Sequence, residues 1–431
     1  MSAGAAVLAA GASGSALAAG SDPERYVLRN VRLETGYRRE GEDVAETLTT
    51  LANIEIANGR IAAVAPASAP MTAGTRTHDM AGLLMLPAFR DMHIHLDKTF
   101  YGDPWRAPRR KRNGIPGQIA LEQKLLPELL PGLEGRADKL VNLLQANGTT
   151  FARSQCNVDP VIGIQNVVHL KRALDRRNAT FGHEIVAFPQ HGLVKVNLQQ
   201  TMRDAMAAGA THVGGIDPTL VDGDMERSVD AVLQIALDCK APIDMHLHEP
   251  GDTGVAAIRR IADRVEREPG LRGRVTFSHC FCLMSLGDAE LADLAARMAG
   301  LGMSVASTVP FGTRMMPIPL LQSKGVAVYT GTDTVVDHWG VFGTGDVLEK
   351  AKLACQLYGW SDEFGLSQSL KLATGGPTPL NAAGEQVWPK PGDAADCVFV
   401  AASCSAETVA RTPPRRTVLH QGRLAAGAFP A

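Results

Sequence analysis

Apolar and polar positions follow two rhythms along the chain. From Tyr26 to Phe89 the runs are short and β-rich: YVLRNVRLE, then TLANIEIANGRIAAVAP with Asn58-Gly59 at its hairpin turn, then AGLLMLPAF. The far end repeats this style with CVFVAA (397–402) and VLHQGRLA (418–425, Gly422 at the turn), after the Pro/Gly-rich stretch 388–392. The long centre instead alternates β-rich runs with amphipathic segments such as RADKLVNLLQANG, SVDAVLQIALDCK and LADLAARMAGLG, each closing near a glycine or turn residue. Eight central runs read as strands: LLMLPAFRDMHIHL (up to 96), TTFARSQC (149–156), EIVAFPQ (184–190), THVGGID (211–217), PIDMHLHE (242–249), VTFSHC (275–280), MSVAST (303–308) and VAVYTGTD (326–333).

Strand-helix alternation is the pattern of repeated βα units around a parallel sheet. Eight units predict an α/β fold, a (β/α)8 TIM-type barrel, with an open doubly wound sheet as the other arrangement the pattern admits. The two β-rich ends predict a small β-sandwich domain formed from both termini. The expected division is 1–22 as a low-complexity or signal-like N-terminus, 23–87 and 386–431 as the two parts of the β-domain, and 88–385 as the barrel. A length of 431 residues suits one large and one small unit, since barrels often take ~250 residues or more.

Composition narrows the partners. With 45% hydrophobic and 20% charged residues the chain matches an ordinary folded protein. Its net charge of -2 gives no general attraction to nucleic acid or an anionic membrane, which favours a small-molecule partner. Seven cysteines without a CxxC pair read as reduced core residues rather than a disulfide framework. Residues 1–20 carry no charge, and Ser15–Ala18 ends in an A-x-A-like pattern, but no basic residue precedes Arg25. The segment therefore reads either as a shortened export signal, which implies the periplasm, or as a disordered tail on a cytoplasmic protein. No other apolar run approaches the ~18 residues a membrane span requires. A cytoplasmic homo-oligomer is the expected form.

Polar groups gather where the central strands end: His93 and His95, Gln155, Gln190, Asp217, His246 with His248 and Glu249, His279, and Asp333. In a barrel those ends share one mouth, where active sites are built. His93 and His95 lie two apart on a strand and so face one side, within reach of one ion. His246 adds a third nitrogen and Asp333 a carboxylate, a mononuclear N/O set suited to Zn2+ or Fe2+ with room for water. Such an ion lowers the pKa of its water toward ~7, which supplies a hydroxide nucleophile. Asp333 is then placed to orient the water and accept its proton, His279 to hold the water or stabilise an oxyanion, and Glu249 to carry the proton onward. Other readings stay open: Glu249 as an exposed carboxylate opening the next helix, His279 as a core histidine, and Asp333 as a helix N-cap.

LPAFRDMHIHLDK (86–98), IVAFPQHG (185–192), IDMHLHEPGD (243–252), VTFSHC (275–280) and GTDTVVDHW (331–339) occur in that order over nearly the whole chain. Collectively they resemble the amidohydrolase superfamily, most closely its cytosine deaminase-like branch. The resemblance implies that His93, His95, His246 and Asp333 are metal ligands and Glu249 and His279 a catalytic pair. It further implies that Gln190 hydrogen-bonds the substrate ring, that Trp339 walls the pocket, and that one metal suffices without a carboxylated lysine. Two positions depart from cytosine deaminases: Thr334 stands where they carry a second Asp, and His248 where they carry an Asp before the Glu. Lys98, Asp217 and His248 are instead similar to the relatives that remove isopropylamine from N-isopropylammelide, a triazine, which implies substrate contacts for these three.

Arg109-Arg110-Lys111-Arg112, after Trp105, reads as a solvated loop rather than a phosphate contact, and its place after the first ligand strand suits a lid. The H-x-E with P-C-x-x-C pattern of nucleic-acid deaminases, a P-loop and a GxGxxG are absent. The expected activity is metal-dependent deamination of a small nitrogen heterocycle, a cytosine-like pyrimidine or an aminotriazine, by metal-hydroxide attack on an amidine carbon. Hydrolysis of a cyclic amide or other ring C-N bond, and a binding barrel without catalysis, are the rival readings.

Overall fold

Two-residue turns with positive φ at both positions match the twist of paired strands, and they organise the terminal sheet of this computed structural model, which describes residues 25–70, 74–110, 113–312 and 314–431. Strand β1 (Tyr26–Glu40) pairs antiparallel with β2 (Asp43–Ala57), which turns through Asn58 (φ 51°) and Gly59 (φ 74°) into β3 (Arg60–Pro66). Then come β4 (Arg76–Asp79) and β5 (Leu84–Pro87), both parallel to β1. The leader-like segment 1–22, Lys111 and Arg112 lie outside the described residues; Arg109 and Arg110 are exposed.

The eight central runs form a parallel sheet in sequence order: β6 (Phe89–Ile94), β7 (Thr149–Asn157), β8 (Gly182–Phe188), β9 (His212–Ile216), β10 (Ile243–Leu247), β11 (Val275–His279), β12 (Ser304–Ser307) and β13 (Ala327–Thr330). Strands buried on both faces need near-continuous apolar runs, and all five residues of β9, of β10 and of β11 are buried. The sheet closes on itself where Asp333 N donates to His93 O (2.7 Å) and His95 N to Asp333 O (2.9 Å). Gly331 permits that approach, because a Cβ there would collide with the His93 backbone. The architecture is thus a TIM-type barrel rather than an open sheet.

The first predicted barrel strand divides. LLMLPAFRDMHIHL is continuous in sequence, but β5 belongs to the terminal sheet and β6 to the barrel, with Ala88 between them. The terminal sheet is completed by β14 (Cys397–Val400), β15 (Arg415–His420) and β16 (Arg423–Gly427), in the order β16-β15-β14-β5-β1-β2-β3. It has its own core of Leu28, Ile54, Ile56, Met85, Trp388 and Phe399 among others, separate from the barrel's. Among the described residues no helix is long and apolar enough to cross a membrane.

Candidate active site

The seam of the barrel is also the floor of its mouth. Asp91 is fully buried and braces the seam, its carboxylate accepting from Thr332 N (3.1 Å), Thr332 Oγ1 (2.5 Å) and His93 N (3.2 Å). Asp333 has left-handed backbone (φ 65°) and caps no helix; its Oδ1 lies 3.4 Å from His93 Nε2 and 3.5 Å from His95 Nε2. Ligand atoms of His93, His95 and Asp333 lie within 4.8 Å of one another, as do those of His93, His246 and His279. His93 belongs to both groups, so the four sequence-predicted ligands and His279 converge.

The neighbours of these rings fix their tautomers. Ser278 Oγ donates to Asp244 Oδ1 (2.6 Å), a carboxylate held by Arg153 (2.9 Å), so that oxygen accepts from His93 Nδ1–H (2.7 Å). His95 Nδ1–H donates to the Gln155 carbonyl (3.1 Å). Both rings therefore keep an unprotonated Nε2 for the centre, the orientation metal-binding imidazoles need. Phe188 stacks on His246 with centroids 3.9 Å apart.

His93 Nε2 and both nitrogens of His246 are buried without a hydrogen-bond partner. Buried polar atoms are seldom left so, and one nitrogen from each of three imidazoles beside a carboxylate is a donor set a divalent cation takes. Burial, and secondarily the neighbouring imidazoles, hold His246 and His279 well below the usual histidine range, so the rings are neutral. Burial alone would raise Asp333, but the imidazoles of His93, His95 and His279 packed against it keep the carboxyl well below its usual range.

One wall of the mouth is set by Asp217. Its Oδ1 accepts from His248 N (2.6 Å) and Glu249 N (3.2 Å), and its Oδ2 lies 2.9 Å from His248 Nδ1. The His248 side chain is 34% exposed and lines the pocket. Glu249 is different. It is fully buried and does not line the pocket; Oε1 accepts from Thr219 N (2.6 Å) and Leu220 N (2.7 Å), while Oε2 has no partner. Burial raises its pKa, against those two hydrogen bonds.

The opposite wall holds a cluster that sequence reasoning missed. Helix Gly114–Leu129 follows the first ligand strand and buries Gln118, Glu122, Leu126 and Leu129 on one face. Glu122 Oε1 accepts from Lys98 Nζ (3.0 Å) and Asn157 Nδ2 (3.1 Å) and lies 3.1 Å from His338 Nε2; Oε2 meets His191 Nε2 at 3.1 Å. Burial would lift the Glu122 pKa, but Lys98 and the two histidines carry it well below the usual range. Burial would likewise strip Lys98 of its proton, yet Glu122, Asp97 and Asp337 outweigh it and raise the lysine. The signal available in the sequence was the i, i+4 pair Gln118/Glu122 in register with Leu126.

Between the walls lies a pocket of about 620 Å³. Lys98, Gln190, Asp217, His248, His279 and Trp339 all line it, with His95, His246 and Asp333 below. The pocket can hold a small planar molecule against a cation and a set of polar groups, the usual form of a small-molecule site.

Residues 134–426 match the Amidohydrolase family. The chain is 51% identical over 408 residues to the uncharacterized protein YahJ of Escherichia coli (strain K12), covering 94% of this chain and 88% of that one. The solved N-isopropylammelide isopropylaminohydrolase of Burkholderia multivorans ATCC 17616 superimposes with a TM-score of 0.80 at 30% identity, covering 93% of this chain and 98% of that one. The 5-methylcytosine deaminase of Klebsiella pneumoniae, liganded with 5-fluorocytosine, shares the fold with a TM-score of 0.74 at 22% identity, covering 93% and 97%.

Proposed function

This chain belongs to the amidohydrolase family, and from that membership we propose that it deaminates a small nitrogen heterocycle, a cytosine-like pyrimidine or an aminotriazine. The observation that carries the reading is the convergence of His93, His95, His246 and Asp333, with the inward nitrogens of His93 and His246 unpartnered. Bound there, one Zn2+ or Fe2+ supplies a charge that lowers the pKa of water toward ~7. The relatives named for a triazine amine and for 5-methylcytosine support a leaving group on an amidine-like ring carbon.

The protein's own residues then divide the work. Asp333, ionised at the floor, accepts the proton of the attacking water, and His279 stands beside it. For protonating the departing amine, the closure of Glu249 from the pocket favours His248, which lines the pocket and whose Nδ1 is held by Asp217. Gln190 and Trp339 flank the ring.

Mass spectrometry on a panel of cytosine, isocytosine, creatinine and aminotriazines tests this. Exchange of NH2 for OH adds about one mass unit and releases ammonia, whereas ring opening adds about eighteen, by the stoichiometry of water attack. Ring opening replaces the reading with cyclic amide hydrolysis, and tight binding without turnover replaces it with a binding barrel. In the active protein His248→Asn lowers turnover by ~10²–10⁴-fold, the usual worth of a general acid. Glu249→Gln doing so in its place returns the role to Glu249.

A further inference from the structure

Two lysines line the pocket, and the protein satisfies only one of them. An ammonium has three N–H donors and no acceptor. Lys98, 1% exposed, places all three on Glu122 Oε1 (3.0 Å), Asn157 Oδ1 (3.2 Å) and Gln190 Oε1 (2.9 Å), and Glu122 also balances its charge. Lys350 places one donor, on the Thr308 carbonyl (3.0 Å), and keeps two without a protein partner. Among the described residues it forms no ion pair. The carboxylates nearest to it in effect are engaged elsewhere: Asp333 faces His93 and His95, Asp91 accepts from Thr332 and His93, and Glu349 accepts from Thr344 Oγ1 (2.5 Å).

The wall beside Lys350 is built under strain. Val309, 1% exposed and lining the pocket, has left-handed backbone (φ 52°), which a β-branched residue adopts only where its surroundings impose it. Val309 N donates to Ser307 Oγ (3.0 Å), and Lys350 takes the carbonyl of the residue between them, so the lysine is fixed to this turn. Val309, Pro310 and Leu353 give the side an apolar lining. Thr308 follows β12 and Gln190 follows β8, four strands apart in a closed ring of eight, so Lys350 meets the pocket on the side away from Gln190.

We propose that Lys350 is a specificity-determining residue that binds a carboxylate carried by the substrate on the ring edge turned away from Gln190. A partly buried cation with two free donors lacks both hydration and a counter-charge, and a carboxylate supplies two acceptor oxygens together with the missing charge. One lysine, with Asp333 close by, suits a monoanion; a phosphate, with three acceptor oxygens and nearly two charges, calls for more donors than this side holds. That specificity rests on the heterocycle reading of the pocket and adds an acidic substituent to the ring.

Acid and amide pairs of one shape test it: cytosine-5-carboxylate against cytosine-5-carboxamide, the same pair at the 6-position, and 4-amino-2-oxo-1,3,5-triazine-6-carboxylate against its 6-carboxamide. Each is read by kcat/KM where turnover occurs and by calorimetry where it does not, with the Tm and metal content of every variant alongside. The wild type favours the acid of at least one pair by about tenfold or more, since a charge-assisted hydrogen bond is about twice as strong as a neutral one. Lys350→Met brings that ratio within about threefold by removing the charge, whereas Lys350→Arg, which still pairs with a carboxylate, keeps most of it. A lysine that merely staples the turn lowers the Tm of Lys350→Met and leaves the ratio untouched, an outcome that overturns the proposal, as does a wild type that favours the acid in no pair. If Lys350→Met does not fold, Lys350→Gln, which keeps a donor for Thr308 without the charge, makes the same comparison. Turnover of cytosine or an aminotriazine without any acid preference leaves the heterocycle reading standing, whereas a wild type that neither binds nor converts any of these rings, acid or neutral, overturns both.

Discussion

Glu122 at the barrel mouth and Glu34 in the terminal sheet are both withdrawn from water, at 0% and 1% exposure, yet their surroundings drive them in opposite directions. Glu122 meets Lys98, Asn157, His191 and His338, and stays ionised. Glu34 accepts from the Ser405 backbone N–H (2.5 Å), has its other oxygen unpartnered, and is pushed up to about 7 by burial. Burial costs a carboxylate the same hydration in either place; what differs is whether a cation shares the site. The mouth keeps its charges because they orient groups around the pocket, while the sheet keeps an acid that ties β1 to the helix Ser405–Arg411 and has no part in the pocket.

The sharpest way to break this contrast is Glu122→Gln, which strands the Lys98 ammonium. Loss of one partner of a buried pair costs about 3–5 kcal/mol, to be measured by denaturant unfolding, and Lys98→Met/Glu122→Leu should recover most of it. A cost below about 1 kcal/mol for the single variant would make the mouth no different from the sheet.

Glu34 gives the next largest effect, through pH. A carboxyl raised from 4.5 to about 7 in the fold binds its proton more tightly when native, so the stability it contributes is present at low pH and is lost as pH rises from about 4.5 to about 7. The sum reaches about 3 kcal/mol. Stability of wild type minus that of Glu34→Gln, followed across this window, should fall with pH; a flat or rising difference contradicts the environment assigned to Glu34. Turnover at fixed pH should not distinguish the two proteins.

Gly331→Ala sharpens the comparison from the barrel side. The new methyl meets the His93 backbone at the seam, an overpacking cost of about 1–3 kcal/mol that should appear as a lower Tm together with reduced metal affinity. The sheet counterpart is Gly59→Ala, at positive φ in the hairpin (74°). It should cost about 1 kcal/mol and leave metal affinity intact.

The sequence made the barrel legible because its strands are apolar runs that stop at polar residues, and the TIM-type closure places every such stop at one mouth. The same rule brought His93, His95, His246, His279 and Asp333 together from positions up to 240 apart. It did not separate β5 from β6, since Leu84 to Leu96 reads as one uninterrupted strand-like run and only the pairing partners distinguish its halves. Nor did it reveal Glu122, which lies on a helix of mixed polarity where a glutamate ordinarily faces water. His191 and His338 adjoin Gln190 and Trp339, but nothing local shows that their rings turn to a buried carboxylate instead of the pocket floor. Lys98 was found by position, yet the saturation of its three donors emerges only from three dimensions.

Metal content of the purified protein bears most directly on the convergence of histidines on which the reading depends. Elemental analysis should find one divalent ion per chain in the wild type and far less in His246→Ala, with the variant still folded by circular dichroism. One ion per chain retained in that variant, or a wild type that binds none when supplied with Zn2+ or Fe2+, would contradict a shared metal centre at the mouth of the barrel.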